Sequence, residues 1–433
     1  MIFTELQGKD ISISFDGTTR EGESIAVTAR YVTSDFLIRE RLINVACELK
    51  SVDSSQLFQV LRQTLFHNLN LPHSALIGIM RDGINVNGVA TKQLQQFYNK
   101  SVDVTCFAHT LNNAGDKLST SVLQAFTSTW ITMMSSDAVR AIWRAKVGSS
   151  LPRVGSTRWW SRQALLSYLL LYFGFIPDFL KDIQKRQLCK TTVRDLLAVL
   201  DDPLKRKTLQ AELAIAVDGL DVFARATTVL EGDGPLALTT YDEIRSLEAA
   251  ITTATYPNLN LVITSLKLTE AEASLLRTQA KATVQPCFDY FRKKFIGTPT
   301  KKAQFQASVD VFKATRLFHP RNAPILLPKS FSDLKSLPFI TKDMLLTMEK
   351  ELAKYVQLAT DYPDPDMLAW WRRFGHEIPT WASATKKALL LQPTSASCER
   401  VFSHLNGMLS IRQKSSCMDL VEASRMLLVN FED

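Results

Sequence analysis

A chain of 433 residues, 46% of them hydrophobic, is long enough for two or three domains around a large core, which excludes a disordered or fibrous protein. Only 16 glycines and 16 prolines argue for a helix-rich chain over an all-β one, and six scattered cysteines with no CxxC argue against a disulfide scaffold or a structural zinc site. The net charge of +8 suits a nucleic-acid partner without requiring one, because the excess is spread along the whole length.

The opening MIFTELQGKD is not a signal peptide, and no apolar run reaches membrane length. The longest, at 164–180, is interrupted by Pro177 and reads as a buried helix. The expectation is a soluble nuclear or cytoplasmic protein without a membrane partner.

In chain order, Ile11, Ile13 and Phe15 alternate with Ser12, Ser14 and Asp16, predicting a half-buried strand with a carboxylate at its end. Strands at 24–32 and 42–49 follow, then an amphipathic helix at 54–69 ended by Pro72. The nearly all-apolar ALIGIM at 75–80 suits a central strand and delivers Asp82. A helix at about 87–98, a strand at 102–107 and a helix from His109 complete this part. Three strands, then helix, strand, helix, strand, helix predict a mixed sheet whose later strands add in parallel. This is the ribonuclease H-like order, an α/β fold that places the first and fourth strands side by side, so that Asp16 and Asp82 meet at one end.

From 161 to 385 the spacing is helical throughout, as at 191–200, 209–230 and 341–359, and predicts a helical domain inserted into the first fold. The divisions expected are 1–160 for the first part of the sheet domain, 161–385 for the insertion and 386–433 for its closing part. Basic clusters at Lys205–Lys207, Arg292–Lys294 and Lys301–Lys302 read singly as solvated faces and together as a possible track for a phosphate backbone. MLAWWRRFGHEIPTWASATKKALL at 367–390 is aromatic-rich and amphipathic. In LQPTSASCERVFSHL at 391–405, Thr394 or Ser395 caps a helix with Val401, Phe402, Leu405, Met408 and Leu409 on one stripe and Glu399 on the opposite, polar face. A last helix, DLVEASRMLLVNF, carries Leu420, Val421, Leu427 and Leu428 on one side, suited to a partner chain.

Asp16, Asp82 and Glu399 are hard oxygen donors at the ends of their elements, of the kind that hold Mg²⁺ or Mn²⁺. Two such ions about 4 Å apart activate an attacking oxygen and stabilise the leaving oxygen of a phosphodiester. Acidic triples are common in so long a chain, and the order of motifs is more specific. SFDGTT, MRDGINVN, CFAHTLN, STRWWS and SASCERVFS occur in that sequence, and the chain resembles the hAT superfamily of DNA transposases, the hobo–Activator group, over about 1–160 and 365–433. The closing WW…IPTWASATKKALLLQPTSASCERVFS…RQK is similar to that family's C-terminal dimerisation region.

The resemblance implies that Asp16, Asp82 and Glu399 are the catalytic and metal-holding residues, that the protein is at least a dimer, and that it cleaves and transfers DNA strands in the nucleus. Cys106 and His109 match the family's CxxH element; two ligands do not make a structural zinc, so a packing or DNA-positioning role is expected. Arg158 and Trp159 match its RW motif, where the tryptophan stacks on an extruded base for about 1–3 kcal/mol. Trp160 reads as a core aromatic. The chain starts about ten residues before its first strand, without the family's BED-type zinc finger. Arg81 and Gly83 flank Asp82 where the family more often has threonine and asparagine, and Arg81 is expected to draw Asp82 into an ion pair that weakens metal binding. The alternative is a domesticated or truncated copy without catalysis that dimerises and binds or regulates DNA. A ribonuclease H-like exonuclease of another group would not need so long an insertion.

Overall fold

The computed structural model describes residues 2–18, 23–48, 52–152, 159–326 and 328–408, together with Met426 and Asn430. Two compact units form. One comprises Met1–His109, Val229–Arg245 and Gln304–Asp433; the other comprises Thr110–Thr228 and Ser246–Ala303. The helical block expected at 161–385 is thus shared between them. Residues 304–388 belong to the first unit because their aromatics pack there: Trp370, Trp371 and Trp381 are fully buried around Tyr355, and Trp371 stacks on Phe36 at 6.0 Å.

The first unit is a mixed α/β structure on a five-stranded sheet. Strands β1 (Ile11–Thr18), β2 (Glu23–Val32), β3 (Ile38–Glu48), β4 (Leu76–Arg81) and β5 (Val102–Thr105) lie in the order β3-β2-β1-β4-β5. The first three are antiparallel, and β4 and β5 add in parallel beyond β1. β3 begins at Ile38, four residues before the expected start. Its charged opening, Arg39–Glu40–Arg41, is tolerated because β3 is an edge strand.

One sheet face carries Ile11, Ile13, Phe15, Val27 and Ile79 and packs on helices Ser54–Arg62 and Asn85–Gln95 through Leu57, Leu61, Ala90 and Leu94. The opposite face corrects the expectation of a half-buried β1. Ser12 and Ser14 are 0% and 2% exposed, covered by residues 389–402 from the far end of the chain. Ser14 Oγ donates to Gln392 Oε1 at 3.3 Å, and Arg30 Nε to the Leu389 carbonyl at 2.9 Å. Small polar side chains on this face leave room for a second layer and supply it with hydrogen-bond partners.

The second unit is helical; among its described residues the sole β feature is an isolated bridge, Thr298 with Lys301. Its core centres on Trp130 and Trp143. The 164–180 run breaks at Phe173–Phe175, between helices Trp159–Leu171 and Ile176–Lys185, and Pro177 starts the second helix in its first turn, where its missing N–H costs nothing. Among the described residues no single helix is long and apolar enough to cross a membrane. Arg162–Leu171 and Phe173–Lys185 reach that composition only together, bent by 68°, and Leu165, Leu169, Ile176, Phe179 and Ile183 are buried in the unit's core.

Candidate active site

The parallel pairing of β1 with β4 sets Phe15 opposite Arg81, so Asp16, still within β1, and Asp82, just past β4, lie side by side at the same end of the sheet. Residues in register on parallel strands share a face. Asp16 and Asp82 therefore follow Ser14 and Met80 towards the face covered by residues 389–402. Each is followed by glycine, and each carboxylate accepts the N–H of that glycine, Gly17 at 2.9 Å and Gly83.

The third carboxylate comes from helix Ala396–Met408. Ser395 stands at the N-cap, its carbonyl accepting from the N–H groups of Cys398 and Glu399, and Thr394 Oγ1 accepts from the Ala396 N–H at 3.5 Å just ahead of the helix. Val401, Phe402 and Cys398 pack against Ala26, Leu42 and Val45 of the sheet. Ser397 Oγ lies 3.0 Å from Thr28 Oγ1, and the Cys398 thiol donates to the Ser14 carbonyl at 3.2 Å. These contacts turn Glu399 towards the strand ends. Its side chain is only 17% exposed, so it is not a solvated surface glutamate. The side chains of Leu405, Met408 and Leu409 lie outside the described residues.

His109 stands at the centre. Cys106 continues β5 by donating its N–H to the Arg81 carbonyl at 2.7 Å, and helix Phe107–Gly115 starts with the Phe107 N–H on the Pro393 carbonyl at 2.8 Å. On its first turn, His109 Nδ1 lies 3.7 Å from Asp82 Oδ1 and Nε2 lies 3.7 Å from Glu399 Oε1. One ligand atom each from Asp16, His109 and Glu399 fall within 4.8 Å of one another. Burial opposes the charged ring, but Cys106, Asp82 and Asp16 together outweigh it and raise the His109 pKa to about 10. The sequence placed His109 with the DNA-contacting residues; its position just past a strand end, one strand over from Asp82, was the available signal that it belongs among the carboxylates.

One expectation around this cluster is corrected and another stands. Arg81 does not draw on the Asp82 carboxylate. It alternates to the opposite sheet face, where its guanidinium makes two 2.8 Å bonds to Asp103. Cys106 is 0% exposed and accepts the Ser395 N–H at 3.5 Å, in keeping with the packing role expected of it.

One comparison bears on the C-terminal part. Residues 349–431 match the hAT family C-terminal dimerisation region. The hAT region thus includes Glu399 and the fully buried Trp370, Trp371 and Trp381, and its tryptophans build the interior of the first unit. No curated protein matches the chain. Within the hAT region the last predicted helix lies outside the described residues, apart from Met426 and Asn430. Asn430 accepts from the Leu42 N–H at 2.9 Å and donates to the Leu42 carbonyl at 3.0 Å, pairing with the sheet-edge strand β3 as a further strand would.

The remaining predicted residues belong to the second unit. Arg158 lies outside the described residues, as do the side chains of Trp159 and Trp160; Trp159 begins helix Trp159–Leu171. Lys205–Lys207 are exposed, as are Lys301 and Lys302, whereas Arg292 is engaged with Glu248 at 3.0 Å.

Proposed function

We propose that this chain is a hAT-type transposase-like protein with a ribonuclease H-like catalytic unit, which acts on DNA in the nucleus as a dimer formed through its C-terminal region. The observation that carries the reading is the approach of Asp16, Asp82 and Glu399 to His109, three carboxylates from two adjacent strands and one helix. The donor set suits divalent cations: carboxylate oxygens spaced too widely from His109 for hydrogen bonds, yet close enough to share an ion. Asp16, Asp82 and Glu399 would hold Mg²⁺ or Mn²⁺, two ions when DNA is bound. Such ions supply Lewis-acid activation of an attacking oxygen and charge neutralisation at the leaving one.

The chain's own residues do the rest. Gly17 and Gly83 fix the two aspartates through their N–H groups. His109 lies between Asp82 and Glu399, 3.7 Å from each through its two ring nitrogens. The exposed lysines of the second unit offer non-specific phosphate contacts, which weaken as salt rises.

The test is nicking of supercoiled plasmid and of duplex oligonucleotides by the full chain with Mg²⁺ or Mn²⁺, against Asp16→Asn, Asp82→Asn and Glu399→Gln. Each substitution should abolish cleavage with folding intact. Cleavage surviving in Asp16→Asn would overturn the assignment. A folded dimer that binds DNA without cutting it in either metal would favour the non-catalytic alternative. Sedimentation at two concentrations tests the dimer.

A further inference from the structure

We propose that the same cluster contains a nitrogen-bearing site for one borderline divalent cation, Mn²⁺, Co²⁺ or Zn²⁺, held by one oxygen each of Asp16 and Glu399 and by Nε2 of His109, with Asp82 orienting the ring. This rests on the metal-binding reading above and narrows it: it names a ligand outside the carboxylate triad and a preference among metals.

The spacing is the first argument. Nε2 of His109 and Oε1 of Glu399 are 3.7 Å apart, beyond a hydrogen bond. Two donors that each bind one ion at about 2.1 Å stand roughly 3–4 Å apart. One ligand atom from each of Asp16, His109 and Glu399 lies within 4.8 Å of the others, and side-chain rotations that close these distances to roughly 3–4 Å would let the three share an ion.

The second argument is the other face of the ring. Nδ1 of His109 is buried without a hydrogen bond of ordinary geometry; Oδ1 of Asp82 lies 3.7 Å from it, and the Cys106 side chain also borders the ring. A metal-bound histidine ordinarily gives its second nitrogen to a carboxylate, which fixes the tautomer and strengthens the ligand. The order Asp82, His109, ion reproduces that arrangement, and a small rotation closes the Nδ1–H bond.

The third argument is the donor chemistry. One imidazole nitrogen with two carboxylate oxygens favours Mn²⁺, Co²⁺ and Zn²⁺ over Mg²⁺, which takes oxygen donors almost alone. The supports are rigid: Asp16 lies within central strand β1, two residues before its end, Glu399 sits on a helix bonded to β1 and β2, and His109 lies on a helix anchored to Pro393.

The experiment titrates the full chain with Mn²⁺ and with Co²⁺ in the absence of DNA. Bound Mn²⁺ should show a nitrogen hyperfine coupling in pulsed electron paramagnetic resonance, and bound Co²⁺ the intense visible bands of a low-coordinate site, displaced by Zn²⁺ and not by excess Mg²⁺. His109→Gln should lose the nitrogen coupling and weaken Co²⁺ binding by more than tenfold. Asp82→Asn should weaken it by about 10–100-fold with the coupling kept. Far-ultraviolet circular dichroism checks that each variant is folded. Metal bound without nitrogen coupling, or held equally well by His109→Gln but lost in Asp16→Asn and Glu399→Gln, overturns this inference and leaves the carboxylate reading standing. Absence of Mn²⁺, Co²⁺ and Mg²⁺ binding in the wild type, with and without DNA, overturns both.

Discussion

Ser14 and Cys398, 384 positions apart in the chain, are joined by a 3.2 Å hydrogen bond from the thiol to the strand carbonyl. Each stands next to the site, Ser14 two residues before Asp16 and Cys398 one before Glu399. The bond thereby helps set how far apart those two carboxylates lie. The thiol is fully buried, and burial pushes its pKa to about 12. It should resist alkylation in the native protein and react only on unfolding. Cys398→Ala should cost about 1–2 kcal/mol in urea unfolding from the lost bond and small cavity. Cys398→Phe should lift the helix and abolish metal binding in calorimetry.

Gly78 tests the covering layer from beneath. A Cβ at this position would fall 2.5 Å from Cδ2 of Leu391 and 3.0 Å from Ser12 Oγ. Gly78→Val should destabilise the first unit by about 1–3 kcal/mol through overpacking and displace the segment that leads to Glu399. A thermal melt and metal titration together would show both effects; unchanged metal binding would mean that Leu391 yields without moving the helix.

Arg81 and Asp103 separate stability from the site. Both ends of the pair are mostly buried, with side-chain exposures of 11% and 25%, and the pair is bidentate. Arg81→Met should cost about 1–3 kcal/mol because it strands the Asp103 carboxylate. It should leave metal affinity nearly unchanged, since Arg81 lies on the sheet face away from the Asp82 carboxylate. A large gain in metal affinity would mean that the arginine does compete for Asp82.

Asn430 links the end of the hAT region to the sheet edge. Asn430→Ala removes two bonds to Leu42 and one of 2.8 Å to the Met426 carbonyl. A loss of about 1–3 kcal/mol is expected, with the Leu42 amide becoming the fastest-exchanging site of β3 in hydrogen-exchange measurements.

His319 predicts an acid limb. It is 7% exposed, and burial, then the charge of Arg321, lower its pKa from 6.5 to about 4. Between those values the unfolded chain binds a proton that the folded chain does not, so stability is complete above pH 6.5 and falls as the pH drops towards 4. The loss amounts to about 3 kcal/mol over that window. His319→Gln should flatten this part of the pH–stability curve, whatever its effect at pH 7.

Local sequence was enough to determine the elements. Alternation marks β1, the apolar run marks β4, and the strand-helix order is sufficient for a mixed sheet with β1 beside β4, because sequential hairpins pair antiparallel and helix crossovers force parallel addition. From that order the neighbouring positions of Asp16 and Asp82 were legible. Tertiary structure alone decided the rest. Ser12 and Ser14 look like a solvent face until residues 389–402 cover them, because a buried polar strand face and an exposed one have the same alternation. Arg81 looks like a partner for Asp82 until pleating sends it to Asp103. His109 becomes central only when a helix from one end of the chain and a helix from the other approach the same strand ends. Spacing along the chain records local geometry, and contacts across more than 280 residues, such as the Cys106–Ser395 bond, leave no periodic trace in it.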